Sequence, residues 1–139
     1  MTTKYILIGG YVRNAPDGGR AFCEELIKGF SEPVKILDCL FAEDKVALWA
    51  AKFEKDQELF DKMLGRKKFD LQLAQRETFV EQIKWANVIY LRGGSAEVLL
   101  TNILAAIPDI SNLLNGKTLA GTSAGTDVIA KYYYGLDNL

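Results

Sequence analysis

Gly121-Thr122-Ser123-Ala124-Gly125 has the spacing G-x-S-x-G, with an apolar run before it and a helical pattern after it. That is the local signature of a nucleophile elbow, a sharp strand-to-helix turn. Such a turn strains the serine backbone and needs neighbours without bulky side chains. It lifts the serine oxygen above the sheet and aims the next amide, that of Ala124, at the place where an oxyanion develops. The dipole of the following helix acts in the same direction. A second donor in such sites comes from a glycine-bearing turn after a neighbouring strand, and Gly93-Gly94 in "LRGGSAEVLL" is placed to supply it. Ser95 and Glu97 also read as an ordinary helix start, which is compatible with an anion site.

A serine hydroxyl needs a base within hydrogen-bond reach. The chain contains no histidine. Asp127 lies one helical turn beyond Ser123 and reads first as a helix-face carboxylate. Lys131 is two turns away. Asp38 ends an apolar run and reads as a loop-ordering residue. Tyr132, Tyr133 and Tyr134 read as packing residues. None is a convincing base, so the isolated chain is expected to have negligible turnover.

The elements that must position these residues are legible as alternating runs. Lys4–Gly10, Pro33–Cys39, Lys67–Ala74, Asn87–Gly94 and Lys117–Ser123 are short, apolar and rich in β-branched residues. Most are continuous rather than alternating, as in strands covered on both faces. Between them, Val46, Trp49, Ala50, Phe53, Phe60, Met63 and Leu64 recur at helical steps, and Gly65 supplies a stop. Phe79, Ile83 and Ala86 mark a second helix, Ala96–Ala106 a third, and Pro108-Asp109 starts a short fourth. Strands alternating with helices predict a three-layer α/β/α sandwich with a mainly parallel sheet, flavodoxin-like in class. Gly9-Gly10, Asp38, Gly93-Gly94 and Ser123 then all fall at carboxyl ends of strands, where such folds build their sites.

The composition suits one domain over residues 1–139, with 49% apolar residues and a net charge of -1. There is no basic tract for nucleic acid and no apolar run long enough to cross a bilayer. Cys23 and Cys39 lack metal-ligand spacing, so no metal and no cofactor is expected. They read as reduced core residues of a cytoplasmic protein.

"VIYLRGGSAEVLL" followed by "GKTLAGTSAGTDVIAKYYY" resembles the S51 serine peptidases. That family includes aspartyl dipeptidase and cyanophycinase on a class I glutamine amidotransferase-like fold. The resemblance extends in outline to "YILIGGYV" and "PVKILDCLFA". It implies Ser123 as nucleophile, and Ala124 with the Gly93-Gly94 turn as oxyanion-hole positions. It implies short peptides with an acidic residue as substrates. Family members often carry a third glycine and Asn-Thr or Asp-Thr in the first motif, where Arg92, Ser95 and Ala96 stand here. They commonly carry alanine where Thr126 stands.

The family's histidine follows the nucleophile at a distance, so the chain is expected to be the N-terminal portion of a longer peptidase domain. A non-catalytic domain that binds a small anion or a nucleotide is the alternative, and a structural half needing a partner is a third. A homodimer is expected through the side of the Lys117–Ser123 strand, taken as an uncovered edge.

Overall fold

In the computed structural model, residues 2–106 and 111–130 are described. Five strands, β1 (Lys4–Ile8), β2 (Val34–Cys39), β3 (Phe69–Leu73), β4 (Val88–Leu91) and β5 (Thr118–Thr122), form one sheet in the order β1-β5-β4-β2-β3. All four pairings are parallel, so the sheet is parallel throughout the described residues. All five strand segments read from the sequence are present, shortened at their ends.

The helices are α1 (Arg20–Ile27), α2 (Trp49–Leu64), α3 (Phe79–Trp85), α4 (Ala96–Ala106) and α5 (Ala124–Val128). From β1 to β3 the chain steps across the sheet in one direction, and from β3 to β5 it steps back. Right-handed crossovers in opposite directions place their helices on opposite faces. One face accordingly packs α1 and α2 (Phe22, Leu26, Phe60, Leu64) against Ile36, Val88 and Tyr90. The other packs α3, α4 and α5 (Ile83, Leu99, Ile103, Val128) against Leu37, Ile89 and Leu119. The result is a three-layer α/β/α sandwich of flavodoxin-like class. The segment between Gly10 and Pro33, unassigned above, holds α1. Its buried Phe22, Cys23, Leu26 and Ile27 do carry a helical spacing.

Two expectations change. β5 is not an edge: it lies between β1 and β4, and all five of its residues are buried. The homodimer expected through the β5 side therefore loses its stated surface. The open edges are β1 and β3, and on β1 Leu7 is 40% exposed. Lys131, Tyr132, Tyr133, Tyr134 and the Pro108-Asp109 helix start lie outside the described residues. No described helix is long and apolar enough to cross a membrane.

Candidate active site around Ser123

The sheet order creates three places where adjacent strands send their connections to opposite faces. β1 leads to α1 and its neighbour β5 to α5; β2 leads to α2, and its neighbours β4 and β3 to α4 and α3. Such switch points open crevices at the carboxyl ends of strands. Ser123 follows β5, Arg92-Gly93-Gly94 follows β4, Asp38 is the penultimate residue of β2, and Arg13 lies in a 3₁₀ turn (Val12–Asn14) after β1.

Ser123 stands between β5 and α5 with φ 52° and ψ -113°, the one positive φ on a non-glycine residue among those described. That conformation crowds Cβ against the backbone and costs an L residue about 1–3 kcal/mol. It is held from several sides. The Ser123 amide donates to the Ile8 carbonyl at 3.0 Å, and the Ser123 carbonyl accepts from the Asp127 amide at 3.1 Å. The motif's two glycines permit the strand and helix to touch. A Cβ on Gly121 would stand 2.6 Å from the Gly125 carbonyl carbon and 2.7 Å from the Thr126 nitrogen. A Cβ on Gly125 would run into the Leu91 carbonyl oxygen of β4.

Thr126 earns a structural role from its hydroxyl. Oγ1 lies 2.6 Å from the Ile8 carbonyl and 2.8 Å from that of Gly121, and it accepts from the Ile8 amide at 3.1 Å. It donates its one proton to one of those carbonyls at a time. In this way it ties the end of β1 to the elbow, which an alanine at the same place does not do.

The glycine turn after β4 lies directly against the serine. A Cβ on Gly93 would stand 3.0 Å from Ser123 Cβ and 3.6 Å from its Oγ. Gly94 has φ 147° and presses on the Ala42 carbonyl, so a side chain there meets both strain and a clash. The turn is pinned at each end, by the Arg92 amide on the Cys39 carbonyl and the Ser95 amide on the Ala42 carbonyl, both at 3.0 Å. The Gly93 and Gly94 amides between them donate to no described residue. Ala124 is the first residue of α5, where the amide has no preceding helical carbonyl to meet. Ser95 Oγ accepts from the Val98 amide at 3.2 Å, as a helix cap does.

Ser123 is exposed, and its hydroxyl has no hydrogen-bond partner among the described residues. No hydrogen bond joins it to the Asp127 carboxylate, which is also exposed. Gly9 and Gly10 lie outside the pocket that holds Ser123, with open space where a Cβ would go.

That pocket has a volume of about 410 Å³. Arg13, Lys52, Lys55 and Arg92 line it together with Gly93 and Ser123, and no carboxylate is among its lining residues. Behind this cationic wall lies a carboxylate that the strand and glycine signals do not point to. Asp56, on α2, is 1% exposed. Its Oδ1 accepts from Arg13 Nη2 at 3.3 Å, and its Oδ2 lies 3.3 Å from Arg92 Nε. Burial disfavours the charge on Arg92, but the acidic groups around it, Asp56 foremost, outweigh it, so Arg92 stays cationic.

Asp38 does lie at the carboxyl end of a strand, but its carboxyl bonds to no loop among the described residues. It is fully buried on the face covered by α1 and α2, beside Asp56. Burial, then the charge of Asp56, pushes its carboxyl well above the usual carboxylate range. The neighbouring Tyr90 phenol is also pushed up, by burial. Among the described residues no three His, Cys, Asp or Glu side chains cluster to hold a metal ion.

No protein-family model and no curated protein matches the chain. Among solved structures it is similar to the crystal structure of a peptidase from an acI-B1 Actinobacterium, with TM-score 0.54 and 24% identity over 91% of this chain. The match spans 55% of that peptidase, so the chain covers about half of its length. At this identity the likeness is one of fold.

Proposed function

We propose that this chain carries the nucleophile-bearing part of a serine peptidase of the S51 type, acting on short peptides with an acidic residue. Ser123 attacks the scissile carbonyl. The amides of Ala124 and of the Gly93-Gly94 turn receive the oxyanion, and the cationic wall receives the acidic side chain. The observation that carries the reading is the strained Ser123 with the Gly93 turn packed on it. A residue held in such a conformation by its surroundings marks a functional position more often than a packing one. The fold shared with a solved peptidase supports the same class.

The 139 residues contain no histidine, and none of Asp38, Asp56 and Asp127 hydrogen-bonds to Ser123 Oγ. We therefore expect the chain on its own not to turn over, its general base coming from outside these residues. The lining of four cations and no carboxylate favours a second reading, a non-catalytic small-anion or nucleotide site. Three measurements bear on them. Fluorophosphonate labelling that is lost in Ser123→Ala, in the presence of a base-supplying chain, supports the peptidase. Aspartyl dipeptide cleavage by the isolated chain above the Ser123→Ala control would overturn the expected inactivity. Binding of a nucleotide or phosphate without any labelling in either state would favour the second reading.

A further inference from the structure

Asp38 and Asp56 present a problem of proton count. Both Asp38 oxygens and Asp56 Oδ2 are buried without a hydrogen-bond partner among the described residues, although the two carboxyls face each other. Two ionised carboxylates cannot bond, and a buried pair of like charges is strongly disfavoured. One proton placed on Asp38 removes the like-charge repulsion and pairs two of the three oxygens, because the acid O–H then donates to the free lone pair of Asp56 Oδ2. The asymmetry follows from the neighbours. Asp56 has two guanidiniums at 3.3 Å, those of Arg13 and Arg92, and so keeps its charge.

We propose that Asp38 is a positioning residue, held as the neutral acid, that donates a hydrogen bond to an ionised Asp56. Asp56, so fixed, holds Arg92 and Arg13 and thereby two walls of the Ser123 pocket. Arg92 is the residue before Gly93, so the device bears directly on the turn packed against Ser123. The groups around Asp38 fit this assignment. Tyr90 on β4 is its register partner and is buried, and Leu73 on β3 is apolar. Burial pushes the adjacent Cys39 thiol up, and burial also raises Cys23 on α1, which feels Asp56. Arg92 and Arg13 are thus the cations that offset the pair.

The role rests on reading Ser123 and Gly93 as a site, but its protonation state can be tested without that reading. A folded-state acid held above its unfolded value keeps a proton that the unfolded chain releases. The contribution of Asp38 to stability is then fully present below about pH 4 and is lost as pH rises towards the folded pKa, by up to about tenfold in the unfolding constant per pH unit. The test is the full chain in two parts. In the infrared, wild type in D₂O at neutral pH should show a carboxylic-acid C=O stretch that Asp38→Asn lacks. In urea titrations across pH, Asp38→Asn should lose the wild-type slope, because an amide N–H replaces the acid proton at every pH.

Asp38→Asn, which keeps a donor to Asp56, should leave the Gly93 amide resonance in place, whereas Asp38→Leu and Asp56→Asn should shift it. If Asp56→Asn does not fold, Asp38→Asn still decides. No acid band in wild type, or parallel pH slopes in wild type and Asp38→Asn, overturns the neutral acid. A Gly93 shift in Asp38→Asn as large as any backbone rearrangement at that turn overturns the positioning role. An intact acid band with no Ser123 labelling in any context would instead count against the peptidase reading alone.

Discussion

Replacing Ser123 by glycine should stabilise the protein. The residue sits at φ 52°, ψ -113°, where an L side chain costs about 1–3 kcal/mol. Glycine adopts these angles without the Cβ clash but adds about 0.5–1 kcal/mol of unfolded-state freedom. The side chain offsets little of this: it is exposed and its hydroxyl bonds to no described residue. The balance is a gain of about 1 kcal/mol for Ser123→Gly. Ser123→Ala keeps Cβ, hence the strain, and should stay within about 0.5 kcal/mol of wild type. For a chain of this size 1 kcal/mol is a rise of about 3–6 °C in Tm. Calorimetry gives the midpoint, and urea titration with an unchanged slope gives the free energy. The comparison between the two variants matters most, since both remove the hydroxyl and only one removes Cβ. Ser123→Gly at or below Ser123→Ala would refute the claim that this backbone is held against its preference.

Further substitutions probe the frame around the serine. Gly125→Ala forces a methyl onto the Leu91 carbonyl of a central strand, a neighbour that cannot rotate away, and should cost about 3 kcal/mol or more by thermal unfolding. Gly9→Ala and Gly10→Ala, with open space at Cβ, should change stability by less than about 0.5 kcal/mol, and an equal loss in all three would remove the steric account. Thr126→Val exchanges the hydroxyl for a methyl and strands the Ile8 amide, so it should lose about 1–2 kcal/mol in urea titration while Thr126→Ser stays near wild type.

The sheet was legible because its strands are covered on both faces. Val88–Leu91 reads as an unbroken apolar run and Val34–Cys39 as a run broken only by Lys35 and Asp38, with glycine or proline close by, which helices of that length do not produce. Ser123, Gly93 and Gly94 were legible for a related reason, since the elbow and the turn demand small residues at fixed spacing. Strand order was not. Parallel pairing leaves no mark on a single strand's composition, and β5 differs from an edge only in being buried along its whole length. The edge signal sits instead in β1, where Lys4 opens the strand and Leu7 reaches solvent. α1 escaped notice because its apolar residues come as two adjacent pairs in a short helix between glycines.

Asp56 shows where a local pattern carries more than it first yields. Trp49, Phe53, Asp56, Phe60 and Met63 step by four and three, so the carboxylate occupies the apolar stripe of α2. A charge at such a position has to meet a partner from another element, because leaving it unpaired in the core costs more than the helix gains. Asp38, at the end of a strand buried on both faces, carries the same implication. Two carboxylates pointed into one layer then call for cations at the carboxyl end of that layer, and Arg92 and Arg13 are the arginines there. The two buried carboxylates that break the apolar pattern, Asp38 and Asp56, thus lie within one connected cluster, and that cluster abuts the strained serine. Packing alone gives no reason for the coincidence. A site that must hold a glycine turn against a serine, beneath a cationic pocket, does.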